Sequence, residues 1–136
     1  MRLLFWNIKS GENSTGTKYV FNDLTVFLKG FYNVDICCFN EVDKKFSSRS
    51  MFDNQVLILK KILNYNNAVF IPTIRKNFGN LILSRTSFIG EPKMIDLPYG
   101  SKDKFAGEKR RLVIIKFIHK KRPLTVYFTH LGYKPE

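Results

Sequence analysis

Six of the seven residues from Leu112 to Ile118 are apolar: Leu112, Val113, Ile114, Ile115, Phe117 and Ile118. Side chains alternate between the two faces of a strand, so this segment needs cover on both sides. Leu3-Leu4-Phe5-Trp6-Asn7-Ile8 has the same character, with Leu3, Phe5 and Asn7 on one face and Leu4, Trp6 and Ile8 on the other. Strands of this kind restrict the chain to a layered architecture. Two segments have helical spacing. Val20, Leu24, Phe27, Leu28 and Phe31 form one stripe, with Gly30 near its end. Phe52, Val56, Leu59, Ile62 and Leu63 form the other, behind Ser50 and Asp53, which resemble a capping box. The remainder reads as strands at 35–39, 68–74, 80–84, 87–96, 111–118 and 124–130, punctuated by Pro72, Gly79, Gly90, Pro92, Pro98, Gly100 and Pro123. Lys120-Lys121-Arg122-Pro123 fits the turn of a final hairpin. The order strand, helix, strand, helix, then strands predicts an α/β domain, one mixed sheet with two helices on its outer face. The helices cover one face and leave nothing for the other, so the sheet reads as half of something larger.

At 136 residues with 44% hydrophobic side chains, the chain is one globular domain, too apolar to be disordered and too short for two cores. No apolar run approaches the ~20 residues of a membrane-spanning helix, and Arg2 and Asn7 interrupt the start too early for a signal peptide. Cys37 and Cys38 are neighbours and cannot close a useful loop, which fits reduced thiols in a cytoplasmic protein. Lys and Arg number 23 against 11 Asp and Glu, a net charge of +12. Residues 1–58 carry 7 basic and 6 acidic side chains, and residues 59–136 carry 16 and 5, so the excess falls almost wholly in the second stretch. Such a surface attracts nucleic acid or anionic lipid headgroups, although abundant Lys, Asn, Ile and Phe also follow from AT-biased coding.

Several polar residues lie at strand ends. Glu41 closes the run Ile36-Cys37-Cys38-Phe39, and Asn7 ends the first strand. A carboxylate and an amide carbonyl, both oxygen donors, suit a hard cation such as Mg²⁺, though acids after strands commonly just mark the exit to solvent. His130 ends the last strand, where an imidazole can hold a phosphoryl oxygen or pass a proton. Lys109-Arg110-Arg111 can grip phosphate, or form a solvated edge. His119 abuts the basic turn and is expected to be exposed. Zinc-type Cys/His spacing, glycine-rich phosphate loops and nucleophile elbows are all missing from the sequence.

In order, Leu3-Leu4-Phe5-Trp6-Asn7-Ile8, Asp35-Ile36-Cys37-Cys38-Phe39-Asn40-Glu41-Val42-Asp43, Gly79-Asn80-Leu81-Ile82-Leu83-Ser84-Arg85, Glu108-Lys109-Arg110-Arg111 and Thr129-His130-Leu131 resemble the endonuclease/exonuclease/phosphatase family of metal-dependent phosphoester hydrolases. The resemblance implies a two-sheet α/β sandwich with helices outside, of which residues 1–136 form the N-terminal half as a single truncated domain. It implies Mg²⁺ or Mn²⁺ at Glu41 with Asn7 beside it. It also implies substrate phosphate contacts from Asn80, Arg85 and Arg111, and a catalytic His130. The family's later aspartate–x–asparagine and serine–aspartate–histidine motifs have no counterpart, and Asp53-Asn54 lies in the wrong context. Three expectations follow: a chain inactive alone, an exposed apolar sheet face, and self-association or a complementing C-terminal half. The alternative is a non-catalytic remnant that binds nucleic acid or anionic lipid through its basic surface.

Overall fold

The computed structural model describes residues 1–31, 33–98 and 110–131. In chain order the elements are β1 (Leu3–Asn7), α1 (Phe21–Lys29), β2 (Ile36–Asp43), α2 (Gln55–Leu63), β3 (Asn67–Ile74), β4 (Phe78–Ser84), β5 (Lys93–Asp96), β6 (Arg111–His119) and β7 (Arg122–Thr129). Single 3-10 turns occupy Lys9–Gly11 and Ser48–Ser50.

Among the described residues, seven strands divide into two sheets. The first has order β1-β2-β4-β3, with β1 and β2 parallel and the other pairs antiparallel. The second, β5-β6-β7, is antiparallel. Alternation along β2 explains the packing. Cys37 and Phe39 face the helices in a core with Phe21 and Leu28 of α1, Leu59 and Leu63 of α2, and Leu81 and Leu83 of β4. Ile36 and Cys38 face the other way, meeting Ile71, Ile82, Val113, Ile115, Phe117, Val126 and Phe128 between the sheets.

The half-sandwich with two helices on one outer face is therefore present, but the single sheet is corrected to two. The last three strands do not extend the first sheet; they form the layer expected to be missing. After β4 the chain crosses over through residues 85–92, and Phe88 joins β6 by a bridge to Phe117. Periodicity states that a strand has two apolar faces, but it cannot say which sheet the strand joins. The apolar exposure falls elsewhere. Ile118 and Tyr127 are exposed on the outer face of β6-β7, and Leu3 and Phe5 are exposed on β1. Among the described residues β1 pairs only with β2.

Three local predictions also change. The α2 cap is Asn54, whose side chain accepts from the Leu57 N–H at 3.3 Å. Ser50 lies in the preceding turn, and the buried α2 positions are Gln55, Leu59 and Leu63, with Phe52 outside the helix. The β6–β7 turn is Lys120-Lys121 alone. Both residues have positive φ and His119 pairs with Arg122, the two-residue geometry that matches strand twist. His119 is partly buried, its Nε2 lying 3.3 Å from the Met1 amine. No helix among the described residues is long and apolar enough to cross a membrane.

Candidate active site

Parallel pairing of β1 and β2 brings their C-terminal ends to the same end of the sheet, where Asn7 pairs with Asn40. On the other side of β2, Phe39 opposes Leu81 and Val42 opposes Gly79, so Asn40 and Glu41 together oppose Asn80. This is a β-bulge, a device that redirects a side chain. Glu41 takes φ of 56°, a left-handed conformation that costs a residue with a Cβ about 1–3 kcal/mol. The extra residue also resets the alternation, since Val42 returns to the helix-side core with Phe39.

The Glu41 carboxylate is held. Its Oε1 accepts from Asn7 Nδ2 at 2.7 Å, while Asn7 Oδ1 accepts from the Lys9 N–H at 3.0 Å. That second bond fixes the amide orientation, so Asn7 meets Glu41 through nitrogen and aims the carboxylate. His130, one residue past β7, reaches across from the second sheet and places Nε2 3.9 Å from Glu41 Oε1. Its Nδ1 lies 3.3 Å from Arg110 Nη1. A guanidinium only donates, so this contact makes Nδ1 the acceptor and puts the neutral ring's proton on Nε2, toward Glu41.

Asn7, Glu41 and His130 thus come together, with Asn80 behind the bulge. Asn80 is 2% exposed and its Oδ1 has no hydrogen-bond partner, as is true of Asn40 Oδ1. Arg111 is at the same end but occupied. Its Nε donates to Asp96 at 2.7 Å and its Nη1 to the Pro72 carbonyl at 2.6 Å, tying the two sheets together. Arg85 is not in the cluster. Its N–H bonds the Asp35 carbonyl just before β2, and its guanidinium lies over the Tyr65 ring. That position is about 17 Å from Glu41 at ~3.3 Å per strand residue. Glu108 and Lys109 of the basic motif lie outside the described residues. Arg110 and Asn40 were missed as individual site residues. The only sequence signals for them were adjacency to Arg111 and to Glu41.

The donor chemistry fits a hard divalent cation of the Mg²⁺ type, which keeps several waters and needs only one or two protein carboxylates plus substrate oxygens. Glu41 is the ligand such an ion would take. Among the described residues no group of three or more His, Cys, Asp or Glu side chains converges on an ion position.

A mixed sheet with two outer helices, backed by a second antiparallel sheet, matches half of the sandwich fold of the endonuclease/exonuclease/phosphatase proteins. Known structures with this fold include an endonuclease/exonuclease/phosphatase from Beutenbergia cavernae (TM-score 0.77, 19% identity, 96% of this chain and 38% of that one). Truncated Caenorhabditis elegans TDP2 is similar as well (TM-score 0.59, 16% identity, 97% and 46%), as is the human Nocturnin catalytic domain with bound sulfate (TM-score 0.62, 17% identity, 98% and 50%). The chain therefore spans half or less of the length of these structures. No protein-family model matches the sequence, and no curated protein matches it significantly.

Proposed function

We propose that this chain is the metal- and phosphate-holding half of a Mg²⁺- or Mn²⁺-dependent phosphoester hydrolase, acting on phosphodiesters or phosphomonoesters. The observation that carries the proposal is the strained Glu41 carboxylate, aimed by Asn7 and faced by His130 from the opposite sheet. Glu41 would hold the ion, which when bound polarises a phosphoryl oxygen. His130 Nε2–H would donate to a phosphoryl oxygen lodged against Glu41, and Asn80 would back the phosphate.

Beyond Glu41 and His130 the described residues bring no further carboxylate or imidazole to this cluster, and loss of a general base typically costs about 10²–10⁴-fold in rate. The chain is accordingly proposed to bind without turning over alone. Among the described residues the outer edge of β1 has no partner strand, and this edge with the exposed Leu3, Phe5, Ile118 and Tyr127 supports a complementing half or a second copy as partner. The free, buried Cys37 and Cys38 support a reducing, cytoplasmic setting.

The test pairs Mn²⁺ binding, followed by electron paramagnetic resonance, with hydrolysis of bis(p-nitrophenyl) phosphate. Binding lost in Glu41→Gln, with hydrolysis near background, is the expected result. Metal affinity untouched by Glu41→Gln would overturn the site. Robust turnover abolished by Glu41→Ala would overturn the inactivity.

A second function, binding of nucleic acid or anionic lipid without catalysis, draws on the exposed Lys120, Lys121 and Arg122 at the other end of the sheet. Strongly salt-dependent affinity with no Mg²⁺ dependence would favour it.

A further inference from the structure

The loop between β2 and α2 starts three residues after Glu41 and contains a turn of unusual construction. A bridge between Lys44 and Asn54 closes it into a compact excursion. Asp43, fully buried, builds its near side by accepting from the Phe46 N–H at 2.5 Å and from the Ser47 N–H and hydroxyl at 3.1 and 2.7 Å. The N–H groups of Met51 and Phe52 bond the carbonyls of Ser48 and Ser47, and the Asp53 N–H bonds that of Ser50. The Asp53 carboxylate is held by the Tyr19 hydroxyl at 2.7 Å.

This framework forces Met51 and Phe52, two consecutive residues with side chains, into left-handed backbone at φ 52° and 57°. Each conformation costs about 1–3 kcal/mol where glycine would cost little. Their apolar side chains are nonetheless 71% and 58% exposed. A lone exposed hydrophobe needs no explanation. Two together, on a strained and over-determined turn, do.

Arg49 stands on the same turn. Its Nε and Nη2 both donate to Glu12 Oε2, at 3.0 and 2.7 Å, so the loops after β1 and β2 are clasped together. Nη1 keeps its two N–H groups for another acceptor. The hydrogen bond to Glu12 first, and then the fields of Glu12, Glu41 and Asp43, hold the guanidinium above its ordinary pKa. Arg49 is thus a fixed cation between the loops that follow β1 and β2, the two strands that end at Asn7 and Glu41.

Arg49 and the exposed Phe52 share one turn, and the Arg49–Glu12 clasp holds that turn to the loop that follows β1, so both belong to the end of the sheet where Asn7 and Glu41 lie. A cation and an exposed ring on one turn match a ligand that carries both a phosphate and a flat apolar group. We infer that the Ser48–Phe52 segment is a recognition ridge for nucleotide-bearing phosphoesters, Phe52 stacking on a nucleobase while Arg49 Nη1 holds a neighbouring phosphate. The inference rests on the phosphoester function proposed for Glu41 and narrows its substrate class from phosphoesters generally to nucleotides.

The experiment titrates the full chain, in Mg²⁺, with trithymidylate and with its abasic analogue, the same backbone without bases. Two-dimensional ¹H–¹⁵N spectra report affinity, location and folding of each variant. Trithymidylate should bind roughly tenfold more tightly than the abasic trimer, as one stacked base provides, with shifts centred on residues 48–53. Phe52→Ala should erase that preference, Phe52→Tyr should keep it, and Arg49→Gln should weaken both ligands alike. Equal affinity for the two ligands in the natural chain, or a preference that survives Phe52→Ala, would overturn the inference. So would loss of the preference in Phe52→Tyr, which would trace it to the turn's fold rather than to the ring. Mn²⁺ affinity measured alongside separates the two proposals. A base preference without metal binding at Glu41 defeats the phosphoester reading alone, and metal binding without a base preference defeats the ridge alone.

Discussion

The two ends of the first sheet are built differently. At the end where β1 and β2 finish, polar groups are ordered against one another and the backbone is strained: Lys9, Ser10, Glu41, Lys45, Met51 and Phe52 all take positive φ. At the other end lie Met1, Asp35, Arg85 and the β6–β7 hairpin, where Lys120, Lys121 and Arg122 are exposed and the left-handed residues serve an ordinary two-residue turn. The basic end has more charge, while the strained end has more construction. Surface charge is inexpensive to place and sets long-range attraction. Strain persists only where surrounding packing over-determines it, which is why the strained end is the better guide to chemistry.

Substitutions can break that contrast, and the largest effect is expected at the strained end. A Cβ on Gly79 would sit 2.0 Å from the Ile71 carbonyl oxygen, a backbone atom that cannot swing away. Gly79→Ala should therefore cost about 3 kcal/mol, the upper range for overpacking, as measured by urea unfolding. A loss below 0.5 kcal/mol would mean the sheet beside the bulge is softer than described.

Next is Glu41→Gln, which should weaken Mn²⁺ by about 100-fold, with Asn7→Ala nearer tenfold as befits a residue that orients a ligand. Equal effects would make Asn7 a ligand in its own right.

Midway between the ends, burial between the sheets pushes the Cys38 thiol up to about 12, helped by its neighbour Cys37. The folded state then keeps a proton that the unfolded chain releases. Stability should be flat below pH ~8.5 and fall above it by about 1.4 kcal/mol per pH unit toward pH 12. Cys38→Ala should flatten the slope of unfolding free energy against pH. An unchanged slope would assign the alkaline loss elsewhere.

The smallest effects belong to the basic end. Lys120→Ala and Arg85→Gln should change stability by no more than about 0.5 kcal/mol, the range of surface substitutions, and leave Mn²⁺ affinity alone. A metal effect from Arg85 would dissolve the distinction between the two ends.

Part of this was legible in the sequence. Glu41, Asn7 and His130 could be singled out because strand ends are marked locally, by an apolar run giving way to a polar residue. Arg85 was misplaced for the same reason. It also closes an apolar run, but β4 is antiparallel to β2, so its end points away from Glu41. The choice between Arg110 and Arg111 was equally hidden. One reaches His130 and the other is consumed by Asp96 and Pro72, and both contacts are made by residues distant in sequence.

The sequence alone determined the elements and their two-sided apolar strands, because alternation and helical spacing are properties of neighbouring residues. Only the tertiary structure decided that β5–β7 form a separate layer, that Asn40 and Glu41 share one partner in a bulge, and that Asn7 aims the carboxylate through its nitrogen. Those outcomes depend on which strands pair and in what register, and pairing energy comes from contacts between segments that local pattern does not connect.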